Sequence, residues 1–160
     1  MSDLTQEYVK TLFDYNDGML VRKIRVSNAM EGQEIKCVTK DGYSKVSINH
    51  KDYLTHRIIF LWNHGYLPKI VDHIDGNPSN NKIENLREAN DQNNCYNSKL
   101  RSDNISGFKG VSWNKDRNKW VVRINTKKKL KQWYVDDLEF ASFLAVEARS
   151  LFHGEYARHV

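Results

Sequence analysis

Long apolar runs are missing from this sequence: the longest, Ile58 to Trp62, has five residues, where a membrane-spanning helix needs roughly 20. No span is expected. Cysteine is scarce too. Cys37 and Cys95 stand far apart and are too few for a disulfide framework or a four-ligand zinc site, so a reducing compartment is expected. Residues 1–7 lack a basic segment followed by an apolar stretch, so no secretory signal is expected. These absences point to an intracellular, cytoplasmic protein. There is no internal repeat or low-complexity tract.

What is present is a polar chain with enough apolar content to fold. Its 160 residues suffice for one domain or two small ones. Hydrophobic residues at 39% and aromatics at 11% support a packed core, while 28% charge and a mean hydropathy of −0.72 give a very polar surface. The formal net charge of +5 is unevenly spread. Residues 1–100 carry 13 Lys+Arg against 13 Asp+Glu, which leaves 12 against 7 for residues 101–160. All the excess is C-terminal. From Arg101 to Lys131 ten basic residues face only Asp103 and Asp116. Such a stripe is the footprint of a polyanion partner, inside a cell usually nucleic acid. A solvated lysine-rich surface is the competing reading.

From Tyr8 to Tyr53 short alternating runs are punctuated by Asp17-Gly18, Gly32 and Asp41-Gly42, which predicts antiparallel strands at Met19 to Ile24, Glu34 to Thr39 and Tyr43 to Ile48. Helical spacing follows from His56 to Gly65, with Thr55 as expected N-cap, Gly65 as the residue past the end and Pro68 beyond. Lys69 to Ile74 reads as an apolar strand running into an Asp75-Gly76 reversal. A short strand is expected at Ile83 to Arg87 and a short helix at Asp91 to Leu100, capped by Asn90 or Asp91. Eight asparagines crowd residues 77–97; asparagine suits turns, caps and amide contacts better than regular interiors.

Residues 101–106 read as a linker. Beyond it, strands are expected at Lys109 to Trp113, Lys119 to Ile124 and Leu130 to Val135, with a hairpin loop at 114–118. An amphipathic helix runs from Asp136-Asp137 to His153, its stripe drawn through Phe140, Phe143, Leu144, Ala148, Leu151 and Phe152 and interrupted by Glu147. Alternation assigns Trp120, Val122 and Ile124 to the helix-packed face of the sheet, and Lys119, Val121 and Arg123 to the other.

Candidate chemistry centres on Asp72-His73 with Asn85, Asn94 and Asn97. The Asp72 carboxylate and the Asn94 amide oxygen are hard ligands suited to Mg²⁺ or a similar ion that keeps most of its waters and touches a phosphate. His73 can serve as a general base at neutral pH. Neighbours on a regular strand point to opposite faces, so Asp72 and His73 share a site only where the strand ends or bends. Taken singly, these residues read more readily as a turn former, a satisfied interior histidine and caps.

Taken together, His56-Arg57, Val71-Asp72-His73-Ile74-Asp75-Gly76-Asn77, Asn80-Asn81, Asn85-Leu86-Arg87, Asn94 and Asn97 closely resemble the HNH endonuclease family, in its phage and intron-encoded homing branch. The match runs roughly from Tyr53 to Leu100. It implies a ββα-metal (His-Me finger) fold with its core at about residues 69–100, in which Asp72 and Asn94 bind one divalent cation, Mg²⁺ first and Mn²⁺ as the alternative. By the same resemblance His73 deprotonates the attacking water, and Asn85 fixes the loop carrying His73 through backbone hydrogen bonds. The zinc-ribbon cysteines of some relatives are missing, so no structural zinc is expected.

The C-terminal part, through Gly107-Phe108-Lys109-Gly110-Val111-Ser112-Trp113, Lys119 to Ile124, and the helix with Ala141, Ala145 and Ala148, resembles the AP2 DNA-binding domain over about Ser106 to Arg158. That implies a three-stranded sheet in the major groove, with Arg117, Lys119, Arg123, Lys131 and Trp113 or Trp133 contacting bases and phosphates. Both tryptophans read equally as core.

The expected fold class is α+β. Residues 1–100 form N-terminal antiparallel strands plus the nuclease module, 101–106 a linker, and 107–160 an AP2-like three-stranded antiparallel sheet packed on one helix. The expected function is site-specific endonucleolytic hydrolysis of double-stranded DNA, as a homing-type nuclease or nickase. One active site hydrolyses one strand, so a double-strand break takes a homodimer or two successive cuts. The alternative is a sequence-specific DNA-binding regulator with an inactive nuclease fold. RNA is disfavoured, because a sheet in the major groove suits B-form DNA.

Overall fold

The computed structural model describes residues 4–26, 29–98, 100–126 and 129–159, without the side chains of 92–94. The chain divides into two compact units, Met1–Asn90 and Asp91–Val160.

The first unit opens with a helix that alternation does not foresee, α1 (Gln6–Leu12). The Thr5 hydroxyl caps it by accepting from the Tyr8 amide at 3.2 Å, and Val9 is fully buried. Three antiparallel hairpins follow. β1 (Phe13–Asn16) pairs with β2 (Met19–Arg22), β3 (Lys45–Ile48) with β4 (Lys51–Leu54), and β5 (Ile70–His73) with β6 (Leu86–Ala89). The first turn needs Gly18: its φ is +91°, and a Cβ there would meet the Lys82 backbone nitrogen at 3.0 Å.

The expected strand at Glu34 to Thr39 does not form. Isolated bridges, Val21 to Glu34 and Val38 to Ser44, and single backbone hydrogen bonds such as Ile35 to Leu20 hold that stretch. Cys37 and Val38 are exposed, so the segment lacks a continuous apolar face to bury. The Ile83 to Arg87 strand likewise begins only at Leu86, after a 3-10 turn at Ile83–Asn85.

α2 (Thr55–His64) is the centre of the first unit. Its N-cap is Leu54, without a side-chain bond, and Thr55 is the first helical residue, its hydroxyl buried with no partner. Tertiary packing of the apolar face therefore supplies what the missing cap does not. Gly65 closes the helix in the left-handed region at φ 81°, its amide donating to the Leu61 carbonyl. Ile58, Ile59, Phe60 and Leu61 bury against Val9, Phe13, Leu20 and Val46, and against Val71 and Leu86 from β5 and β6.

The second unit begins with α3 (Asp91–Tyr96), shorter than the Asp91 to Leu100 expectation. Its sheet has the order β7 (Val111–Asn114), β8 (Lys119–Asn125), β9 (Leu130–Val135), all antiparallel. α4 (Leu138–His153) is capped by the Asp137 carboxylate accepting from the Phe140 amide at 2.7 Å, and ends at Gly154.

α4 packs with only part of the predicted stripe: Leu144, Ala148 and Phe152 meet the sheet, the other apolar members do not. Phe140, Phe143 and Leu151 are 54%, 60% and 76% exposed, whereas Ala141, Ala145 and Ala148 meet Val111, Val122 and Ile124. Trp120 and Trp133 also pack into this layer. Two indoles between sheet and helix favour methyl groups at the centre of the helix side, with Leu138, Leu144 and Phe152 packing partly buried around them, so volume as well as hydrophobicity selects the buried face. Val121, assigned to the outer face, is nonetheless 0% exposed. It sits mid-sheet on the central strand between Ser112 and Tyr134, and its cross-strand neighbours cover it.

Candidate active site

The β5–β6 hairpin positions the polar groups of interest. Its register sets Asp72 opposite Arg87 and His73 opposite Leu86, with Val71 and Leu86 anchored in the core. His73 is the last residue of its strand, where the chain turns through residues 74–75. Asp72 is 7% exposed, and its Oδ2 accepts from both Nε and Nη2 of Arg87 at 3.0 Å. A guanidinium fork on one carboxylate oxygen fixes the orientation of that group.

His73 is buried, with Nε2 2.9 Å from Asn81 Oδ1. Asn81 Nδ2 in turn donates to Ser44 Oγ at 3.1 Å, which leaves its Oδ1 to accept. Nε2 of His73 is thereby assigned the proton, and the lone pair of the neutral ring falls on Nδ1. Around this ring stand His56, edge-on with centroids 4.8 Å apart, and Tyr43 at 5.9 Å; Tyr43 lies 5.6 Å from His56. Burial, then the charges of His73 and Arg57, push His56 down to about 3. It is a neutral wall at ordinary pH.

The loop after His73 is tied to Asn85. Asn85 Oδ1 accepts from the Asp75 backbone amide at 3.0 Å, and its Nδ2 donates to the Asn80 carbonyl at 2.7 Å and to Asp75 Oδ1 at 2.9 Å. The Ile74 amide donates to the Asn85 carbonyl at 2.8 Å. Burial would raise the Asp75 carboxyl, but donors from Asn77, Asn80 and Asn85 outweigh it and hold the group below its usual range. The asparagine density of the sequence is therefore largely loop wiring here.

Asn94 lies on α3, and its side chain falls outside the described residues; Asn97 is buried. Among the described residues no three of His, Cys, Asp and Glu cluster as a metal site, and Cys37 and Cys95 are free and exposed. The donor chemistry of Asp72, a buried carboxylate held in one orientation, fits a hard divalent cation that takes few protein ligands and fills the rest of its shell with water and phosphate oxygen. Sequence reading missed Tyr43, and missed Asn81 and Arg87 as partners of His73 and Asp72. Only the position of Arg87 directly across the hairpin from Asp72 could have signalled it.

In the second unit the six predicted DNA-contacting residues separate. Lys119 and Arg123 lie on the open face of β8: Lys119 pairs with Asp136 at 2.9 Å, and Arg123 Nη1 donates to Ser112 Oγ at 3.2 Å. Arg117 stacks on the Tyr134 ring at 4.4 Å on the same side. The register places Lys131, Trp133 and Trp113 opposite Ile124, Val122 and Trp120, on the side that faces α4. There Lys131 sits 4.2 Å over the Phe152 ring, Trp133 joins the core, and Trp113 packs edge-on to Trp120 at 5.0 Å while remaining 42% exposed.

Residues 53–96, which hold α2, both strands of the β5–β6 hairpin and Asp72, His73 and Asn85, match the family model described as HNH endonuclease. Protein 3.8 of Escherichia phage T7 is 37% identical over 106 residues, which cover 64% of this chain and 88% of that protein. The solved structure described as DNA binding and cleavage by the HNH homing endonuclease I-HmuI is 22% identical, with a TM-score of 0.41, and covers 88% of this chain and 78% of that one. The chain belongs to the same family as the phage T7 Protein 3.8 and carries an HNH endonuclease domain at residues 53–96.

Proposed function

We propose that the protein is a divalent-metal-dependent, site-specific DNA endonuclease of homing type, which cuts or nicks duplex DNA inside the cell. The observation that carries this reading is the Asp72-His73 pair at the end of β5 inside the HNH segment, with the following loop pinned by Asn85. Phosphodiester hydrolysis needs an oxygen nucleophile, relief of the charge that builds on phosphorus, and help for the leaving oxygen. His73 takes a proton from the attacking water. Its buried ring, bonded to Asn81 and walled by His56 and Tyr43, has little orientational freedom to lose in reaching the transition state. Asn85 is a positioning residue that acts through the loop.

Asp72 and Asn94 would hold the cation, Mg²⁺ first and Mn²⁺ next, which when bound supplies charge neutralisation at the phosphate. Arg87 orients Asp72 for that task. In the domain scheme that goes with this reading, residues 1–100 are the nuclease part, 101–106 the linker and 107–160 an AP2-like reader. Arg117, Lys119 and Arg123 would read DNA from the open face of the sheet, while Lys131, Trp113 and Trp133 stand on its other side and serve packing first.

One observation favours a second reading. The Asp72 carboxylate is engaged by Arg87, as in a nuclease fold kept only for DNA binding by a regulator. Incubation of supercoiled plasmid with Mg²⁺ against EDTA, read for nicked and linear forms, separates the two. Product only with Mg²⁺ is expected; tight plasmid binding without cleavage in Mg²⁺ or Mn²⁺ would leave the regulator.

A further inference from the structure

We infer that the second unit contains a phosphate-oxyanion site remote from the proposed chemistry, in a cavity of about 390 Å³ lined by Tyr96, Lys109, Arg123, Asn125, Arg149 and His153. The inference stands without the nuclease reading, because none of its argument uses Asp72, His73 or a metal.

The cavity is built around one buried basic group, Arg149, and two half-buried ones, Lys109 and His153. Arg149 projects from α4, only 2% exposed; its Nη1 donates to the Lys109 carbonyl, and its Nε is buried with no partner. Lys109 Nζ donates to the carbonyls of Tyr96, at 2.8 Å, and of Ser98. His153 stacks on Tyr96 with ring centroids 3.7 Å apart and planes 5° off parallel, its Nε2 bonded to the Asn125 carbonyl at 2.8 Å. His153 Nδ1 and the Tyr96 hydroxyl are buried without partners.

Among the described residues no carboxylate pairs with Lys109 or Arg149. A guanidinium taken out of water without a counter-charge is strongly unfavourable, and evolution rarely leaves a buried cation uncompensated. The electrostatics agree: burial, then Arg149 and Arg158, bring the Lys109 ammonium down to about 8, and burial followed by Lys109 and Arg149 also depresses His153 once the Asn125 bond is allowed for. Glu147 acts on His159, which is also lowered chiefly by burial.

A tetrahedral oxyanion supplies what is missing. Its oxygens accept from the guanidinium, whose donor fork matches phosphate geometry, from the ammonium and from a tyrosine hydroxyl. Its charge offsets the crowded cations. The same chemistry is presented by a phosphodiester of the DNA backbone and by free inorganic phosphate.

The test uses the full chain. Thermal unfolding is followed with inorganic phosphate titrated against NaCl at matched ionic strength and pH, alongside NMR of the histidine ring protons. The expected result is a saturable, phosphate-specific rise in Tm and a shift of the His153 resonances, both lost in Lys109→Met and Arg149→Met. Lys109 is only half-buried, so its variant keeps the test alive if the Arg149 variant fails to fold. A wild-type protein that responds to phosphate no more than to chloride, or a response retained in Lys109→Met, overturns the site. Binding of a random-sequence duplex names the source: weakening by Lys109→Met together with competition by free phosphate identifies the DNA backbone, and unchanged duplex binding identifies free phosphate. Either supports the site, and plasmid cleavage reports on the nuclease reading separately.

Discussion

The two units place their polar groups in different ways. In residues 1–90, three separate two-stranded hairpins surround one apolar helix, and the polar side chains of the site are held by hydrogen bonds: Asp72 to Arg87, His73 to Asn81, and Asn85 to the loop it spans. In residues 91–160, one continuous sheet lies on one helix, and strand alternation alone sends Lys119 and Arg123 to the open side and Trp120, Val122 and Ile124 to the other. A short hairpin cannot display a surface, but it can hold one or two groups rigidly. A three-stranded sheet does the reverse. The first arrangement suits catalysis, which depends on fractions of an ångström, and the second suits reading a long polyanion, which depends on repeat and charge.

The contrast is broken most directly at His73. His73→Ala should lower plasmid cleavage by ~10² to 10⁴, the usual cost of a lost general base, while gel-shift affinity for DNA stays near wild type; a parallel loss of binding would mean that His73 is structural only. Next in size is the pH response of His56. Its folded value of about 3 lies below the ordinary 6.5, so below pH 6.5 the unfolded chain takes up a proton that the folded one refuses. Stability should climb as pH rises from about 3 to 6.5 and be flat for this group above that. His56→Phe should remove that part of the slope in urea melts, and an unchanged slope would place the titration elsewhere.

The second unit should respond more gently. Arg123→Ala should cost about 1 to 3 kcal/mol of preference for a cognate over a random duplex; equal losses on both would take Arg123 out of base reading. On α4, Ala145→Leu should destabilise by about 1 to 3 kcal/mol by overfilling the space against the indoles, whereas Phe143→Ser should change stability by no more than roughly 0.5 kcal/mol. Chemical denaturation decides, and the reverse order would make Phe143 rather than Ala145 the packed position.

That α4 result shows how far local pattern reaches. Gly65, Asp137 and Gly154 end or begin their helices where turn and cap chemistry predicts, because capping involves only the nearest few residues. α1 is invisible to periodicity because seven residues carry too little of it, and Glu34 to Thr39 alternates like a strand although alternation says nothing about whether a partner exists to cover it. The HNH segment was legible as an ordered set of residue types, yet the bonds that orient its members join positions eight or fifteen residues apart across a hairpin.

By itself the sequence determined where elements turn, that basic charge gathers after residue 100, and that an aspartate and a histidine meet at a strand end before an asparagine-rich loop; these are properties of neighbours and of composition. Only the tertiary structure decided that Arg87 engages Asp72, that Tyr43 and His56 wall His73, that Ala141 and Ala145 rather than Phe140 and Phe143 of α4 meet the sheet, and that Lys109 and Arg149 share a cavity. The reason is physical. Which side chain fills a given space depends on volumes and charges brought together from distant parts of the chain, and no local period carries that information.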